Sequence, residues 1–143
     1  MRMDETLQDI DALFEAALGA RAHAYAPYSG FAVGAAIRGA RGGLFTGCNV
    51  ENAAYPSGTC AEQSAISAMI GAGETRIAAL AVIASGAHPL TPCGACRQRI
   101  REFAEAATPI HAGSLEGARQ SFTLAALLPE AFGPAFLPGH KQP

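Results

Sequence analysis

Ile77-Ala-Ala-Leu-Ala-Val-Ile-Ala84 is an unbroken apolar run of strand length. Alternating polarity would mark a strand with one wet face, whereas continuity marks a strand covered on both faces, the central strand of a sheet held between helical layers. The segments on either side fit that reading. Upstream, residues 60–70 read as a helix that opens at Cys60 and stops at Gly71-Ala-Gly73. Downstream, a helix of about residues 94–106 has Ile100 and Phe103 as its apolar contacts. Further out, residues 4–21 set Leu7, Ile10, Phe14, Ala17 and Leu18 at helical spacing, with acidic residues in the first turn where the helix dipole favours them. Residues 31–38 and 44–50 read as strands around Gly39-Ala-Arg-Gly-Gly43, and residues 109–113 and 120–124 as two shorter strands. The order α-β-β-α-β-α-β-β predicts an α/β fold, a three-layer α/β/α sandwich around a mixed five-stranded sheet. Strands should run parallel where helices cross over, with one antiparallel hairpin.

Length and composition fit one such domain, residues 1–143, with a tail at about 138–143 expected to be flexible. Hydrophobic residues make up 50% and charged ones 15%, which excludes a disordered chain. A formal charge of −2, a lone lysine at Lys141 and scattered arginines argue against a long nucleic acid as partner. No apolar run reaches the length of a membrane span, and the start, Met1-Arg-Met-Asp-Glu, has no apolar leader. A cytoplasmic location is expected, where thiols stay reduced and cysteines read as ligands or buried side chains before they read as disulfides.

Three of the four cysteines stand at helix starts: Cys60 opens one helix, and Cys93 and Cys96 bracket the start of the next in Pro92-Cys-Gly-Ala-Cys96. Helix N-termini that converge on one spot favour the thiolates that bind zinc. Three thiolates leave one tetrahedral position for water, the mark of a catalytic site; a fourth protein ligand would close the site and make it structural. Cys48 is the available fourth, but its place in a strand reads better as a small buried core residue. His23, His88, His111 and His140 fall into no ligand pattern and read as structural or exposed. Glu62, two residues after Cys60, is either an ordinary first-turn glutamate or a carboxylate facing the open metal position, its pKa raised by the nearby thiolates.

Cys60-Ala-Glu62 followed by Pro92-Cys-Gly-Ala-Cys96 resembles the signature of the zinc nucleoside and nucleobase deaminases. Tyr25-Ala-Pro-Tyr-Ser-Gly-Phe-Ala-Val-Gly34, Gly47-Cys-Asn-Val-Glu-Asn-Ala-Ala-Tyr55, Cys96-Arg-Gln98 and Leu127-Leu-Pro-Glu-Ala-Phe132 look like the small, homotetrameric cytidine deaminases. The resemblance implies one Zn²⁺ per subunit on Cys60, Cys93 and Cys96, whose water attacks C4 of cytosine as hydroxide, with Glu62 shuttling protons. Uridine or deoxyuridine and ammonia would be the products, in pyrimidine salvage. It further implies that Asn49 and Glu51 meet the ribose hydroxyls, that Phe31 flanks the pyrimidine and that the Ala61 N–H holds its O2. Tyr55 and Phe132 would line a neighbouring subunit's site in a homotetramer.

The chain departs from a common pattern of that class at Gln63, where an arginine often follows the glutamate and bonds zinc thiolates. A glutamine brings no charge to a site where three thiolates and Zn²⁺ sum to −1. Arg97 is a possible substitute, or else a surface or interface arginine. Other readings are deamination of a modified aminopyrimidine nucleoside such as blasticidin S, deamination within RNA or DNA, which the charge disfavours, and a closed, non-catalytic zinc module that includes Cys48.

Overall fold

The structure is a computed structural model that describes residues 4–139. Helix α1 (Leu7–Arg21) is followed by β1 (Val33–Gly39), β2 (Leu44–Cys48), α2 (Ala61–Gly71), β3 (Ile77–Ala84), α3 (Gly94–Phe103), β4 (Pro109–Ser114), β5 (Arg119–Thr123) and the single-turn α4 (Leu124–Leu127). The five strands form one sheet in the order β2-β1-β3-β4-β5. Only β3 and β4 pair in parallel; β1 pairs antiparallel with both β2 and β3, and β4 with β5. The sheet is therefore mixed and five-stranded, as expected, with β3 at its centre.

The apolar run sits where its continuity predicts. Leu80, Val82 and Ala84 point into a core shared with Ala65, Ile66 and Met69 of α2 and Ile100 of α3. Ala79, Ala81 and Ile83 point the other way, onto Leu13, Phe14 and Ala17 of α1. Successive residues of a strand face opposite sides, so a strand packed against helices on both sides must be apolar at every position.

Two glycines set the spacing of the layers. A Cβ at Gly34 would run into the Ala17 carbonyl of α1, and one at Gly47 into the Ala65 nitrogen of α2. The helices can approach the sheet this closely only because both positions lack a side chain.

Several expectations are corrected. The described residues form two antiparallel hairpins, not one, since β4 and β5 are joined by a tight turn in which Gly117 has φ +98°. The first helix begins at Leu7, after Thr6 caps it in a reciprocal capping box with Asp9. Leu7 is 80% exposed and Leu18 also faces outward, while Leu13, not part of the expected stripe, is buried. The fifth strand ends at Thr123, whose side chain accepts from the Ala126 N–H and starts α4. Cys48 is half-buried at the end of edge strand β2, opposite Gly34, rather than a core residue. His111 is buried, its ring bonded to Ser121 (2.6 Å) and Glu5 (2.7 Å), which makes it structural; His23 and His88 are exposed. His140 and the expected flexible tail from residue 140 onward lie outside the described residues. No described helix is long and apolar enough to cross a membrane.

Candidate active site

Both helices on one face of the sheet begin with a cysteine. Cys60 is the N-cap of α2 and Cys93 that of α3, each with extended backbone, and neither side chain makes the usual capping hydrogen bond. The thiols are turned instead toward each other and toward Cys96, and the three sulfurs lie within 4.8 Å of one another. Tetrahedral ligands at about 2.3 Å from zinc stand roughly 3.8 Å apart, so one ion can reach all three sulfurs with little movement. Soft thiolates at two positive helix ends suit zinc, and three ligands leave a coordination position open. Cys48 is not part of this group among the described residues, which removes the ligand that a closed four-cysteine site would need.

The three thiols differ in surroundings. Burial pushes the Cys60 thiol up, and pushes Cys96, the buried member, far up, with the charge of Glu62 adding to the effect. At Cys93 burial works in the same sense, but hydrogen bonds from the Cys96 N–H and from the other two thiols outweigh it and bring its pKa down. A metal bound as a thiolate complex must therefore displace protons from these thiols.

Glu62 lies in the first turn of α2 with 4% of its surface exposed, on the wall of the cavity that also holds Cys60 and Cys93. Burial raises its pKa; its own backbone N–H and the charge of Arg99 pull the other way. The expected direction is observed, but desolvation and not the neighbouring thiolates is its cause.

The cavity has a volume of about 610 Å³, enough for a nucleoside, and its floor is the start of α2. Phe31, Asn49, Glu51, Tyr55 and Ala61 all line it, together with Tyr28, Leu90 and Thr91, which sequence reasoning did not single out. Asn49 and Glu51 have a second task. The Asn49 side chain accepts from the Val33 N–H (2.8 Å) and donates to the Phe31 carbonyl (2.8 Å), and Glu51 accepts from the Tyr28 (2.9 Å) and Ser29 (3.1 Å) N–H groups. Both thus fix the loop that carries Phe31, while each keeps hydrogen-bonding capacity to spare. Tyr55, 76% exposed, pairs with Tyr28 at 5.9 Å on the rim of its own protomer's cavity. Phe132 does not reach this cavity: it is 55% exposed and stacks on Phe136 at 5.5 Å.

Of the two polar residues considered beside the metal, Arg97 follows the alternative in which it makes no contact with a thiol. Arg97 points away from the thiols, donating to the Pro92 carbonyl (2.7 Å), the Leu127 carbonyl (2.8 Å) and Thr91 Oγ1 (3.1 Å), and so ties α3 to its entry loop and to α4. Gln63 is half-buried on α2. The side chain that reaches a thiol is Arg99, whose Nη1 lies 3.5 Å from Cys96 Sγ. Sequence reasoning missed it, although Cys96 and Arg99 are three residues apart on a helix and so share a face.

Residues 7–112 match the family model for the cytidine and deoxycytidylate deaminase zinc-binding region. The chain is 43% identical over 124 residues to cytidine deaminase from Sporosarcina psychrophila, a span of 87% of this chain and 91% of that protein. Its fold superposes on the crystal structure of cytidine deaminase from Burkholderia pseudomallei with a TM-score of 0.83, at 42% identity over 90% of this chain and 100% of that one. On cytidine deaminase from Mycobacterium tuberculosis the TM-score is 0.76, with 39% identity over 87% of this chain and 98% of that one.

Proposed function

This chain belongs to the zinc-binding cytidine and deoxycytidylate deaminase family, and from that premise we propose that it hydrolyses cytidine and deoxycytidine to uridine and deoxyuridine with release of ammonia. The observation that carries the reading is the buried Glu62 carboxylate on the wall of a nucleoside-sized cavity, beside three clustered thiols. Held by Cys60, Cys93 and Cys96, zinc supplies Lewis acidity that makes water nucleophilic at neutral pH.

The remaining work falls to side chains and backbone. Glu62 takes a proton from the attacking water and delivers one to N3 as oxygen bonds to C4. It then passes the second water proton to the amino nitrogen as the C4–N bond breaks and ammonia leaves. A carboxyl whose pKa burial has raised is a better proton acceptor than an exposed one, which suits taking the water's proton and carrying it to the ring. The N–H of Ala61, in the first turn of α2 where backbone donors lack helical partners, would hold the pyrimidine O2, a role supported by its position on the cavity wall. Phe31 offers a ring face to the base, and the spare lone pairs and N–H of Glu51 and Asn49 can pair with a neutral diol.

The same reading includes a homotetramer in which Tyr55 and Phe132 approach a neighbouring subunit's site. It is supported by the exposure of Tyr55, Phe132, Phe136 and Leu137, apolar side chains that association would cover. A cytoplasmic role in pyrimidine salvage completes it. The test is loss of cytidine absorbance near 280 nm with purified protein, run beside Glu62→Ala with zinc measured on both. Release of uridine and ammonia, with a variant that keeps its zinc but is at least about 10²-fold slower, is the expected result. A wild type that holds zinc yet spares both cytidine and deoxycytidine would remove the substrate assignment and direct the assay to modified aminopyrimidine nucleosides.

A further inference from the structure

We infer that Arg99 supplies the positive charge that this zinc-thiolate site requires and that Gln63 cannot give. The inference rests on the zinc reading of the cysteine group and is independent of which nucleoside is deaminated. Three thiolates and one Zn²⁺ carry a net −1 into a partly enclosed site, and the two helix N-termini offset only part of it. The excess is hardest to bear at Cys96, the buried sulfur, which water solvates least. Arg99 meets that sulfur. Its Nη1 stands 3.5 Å from Cys96 Sγ, it is half-buried, and its charge also reaches the Glu62 carboxylate.

Helix geometry accounts for the placement. Three residues beyond Cys96, Arg99 lies about one turn along the same face of α3. Arg97 occupies a different face and spends its donors on Pro92, Thr91 and Leu127. Among the described residues, Arg99 is the side chain that donates to a sulfur of the group. It acts on the reaction through the ligand it touches, as a positioning residue that stabilises the anionic sulfur and lets the site hold its ion without a net charge excess. Outer-shell partners of metal ligands commonly govern retention of the metal in this way.

Zinc release to a chelator tests the inference without a substrate. Arg99→Gln in the zinc-loaded protein should release zinc about 10–100-fold faster than wild type. Arg99→Lys should recover most of the loss, because a single N–H···S contact asks for a point charge rather than a two-pronged donor. The melting temperature of the metal-free protein should be the same for all three. Release from Arg99→Gln at the wild-type rate would overturn the inference. So would a loss that lysine fails to recover, or one accompanied by an equal fall in metal-free melting temperature, since either would assign Arg99 to packing. Should Arg99→Gln fail to fold, Arg99→Met, which keeps an unbranched apolar stem without the charge, is compared with Arg99→Lys: zinc release about 10-fold faster or more from the methionine variant supports the inference, and equal release from the two refutes it. A wild type that holds zinc but spares cytidine removes the substrate reading alone, whereas a wild type that binds no zinc removes both.

Discussion

Glu51 and Ser29, both on the wall of the cavity, are joined twice: the carboxylate accepts from the Ser29 N–H at 3.1 Å and from its hydroxyl. These bonds, the hydroxyl's first, hold the Glu51 carboxyl below its ordinary pKa. A group with a lowered folded-state pKa contributes stability that is present above the ordinary carboxylate range and lost as pH falls through the lowered value. Urea melts between pH 7 and pH 3 should therefore show wild type losing more stability on acidification than Glu51→Gln. Parallel curves would mean that the loop does not depend on the charge.

Zinc content should separate the cysteines. Serine at Cys60, Cys93 or Cys96 leaves two of the three clustered sulfurs, and each variant is expected to purify with well under one zinc per chain. Cys48→Ala, at the end of the edge strand and outside the cluster, is expected to keep full zinc and activity. Elemental analysis of the four proteins decides the matter, and loss of zinc from the Cys48 variant would revive a closed structural site.

Glycine-to-alanine changes should have opposite signs in different layers. At Gly34 and Gly47 the new methyl meets helix backbone, which must move away from the sheet at a cost of about 1–3 kcal/mol. At Gly19, on the exposed side of α1, nothing lies within 4 Å, and alanine is expected to stabilise the helix by about 0.5–1 kcal/mol. Thermal melts that moved all three variants the same way would contradict this account of the layer spacing.

Arg97→Ala removes the cation shared by the Pro92 and Leu127 carbonyls and the Thr91 hydroxyl. Loss of charge-assisted hydrogen bonds in a partly buried setting should cost about 2–4 kcal/mol in denaturant unfolding. The folded fraction should release zinc at the wild-type rate, because Arg97 touches none of the three sulfurs. Faster zinc release would give it the part assigned to Arg99.

What could be read in the sequence was what short spacing and local pattern control. The apolar continuity of residues 77–84 located the central strand to the residue, and Cys60, Cys93 and Cys96 were recognisable because each stands at a helix start. Long-range choices were harder to read. Arg99 meets Cys96 through their three-residue spacing on α3, whereas the bond of Arg97 to the Leu127 carbonyl spans 30 residues and leaves no local trace. The outward turn of Leu7 depends on where Thr6 begins the helix, and the half-exposure of Cys48 on its strand being an edge. Glu51 and Asn49 could be placed at the cavity from the family pattern, but their bonds to residues 28–33 cross the chain and leave no local trace.

The antiparallel hairpins β1–β2 and β4–β5 occupy the two edges of the sheet, and β3 lies between them. Each hairpin closes a short loop, whereas the pairings of β3 with β1 and β4 each wait on a helix-bearing crossover. Folding is therefore expected to form the edge hairpins by fast local events before the middle strand joins them. Truncating Leu80 or Val82 should then speed unfolding more than it slows folding, while weakening the turn at Gly117 should do the reverse.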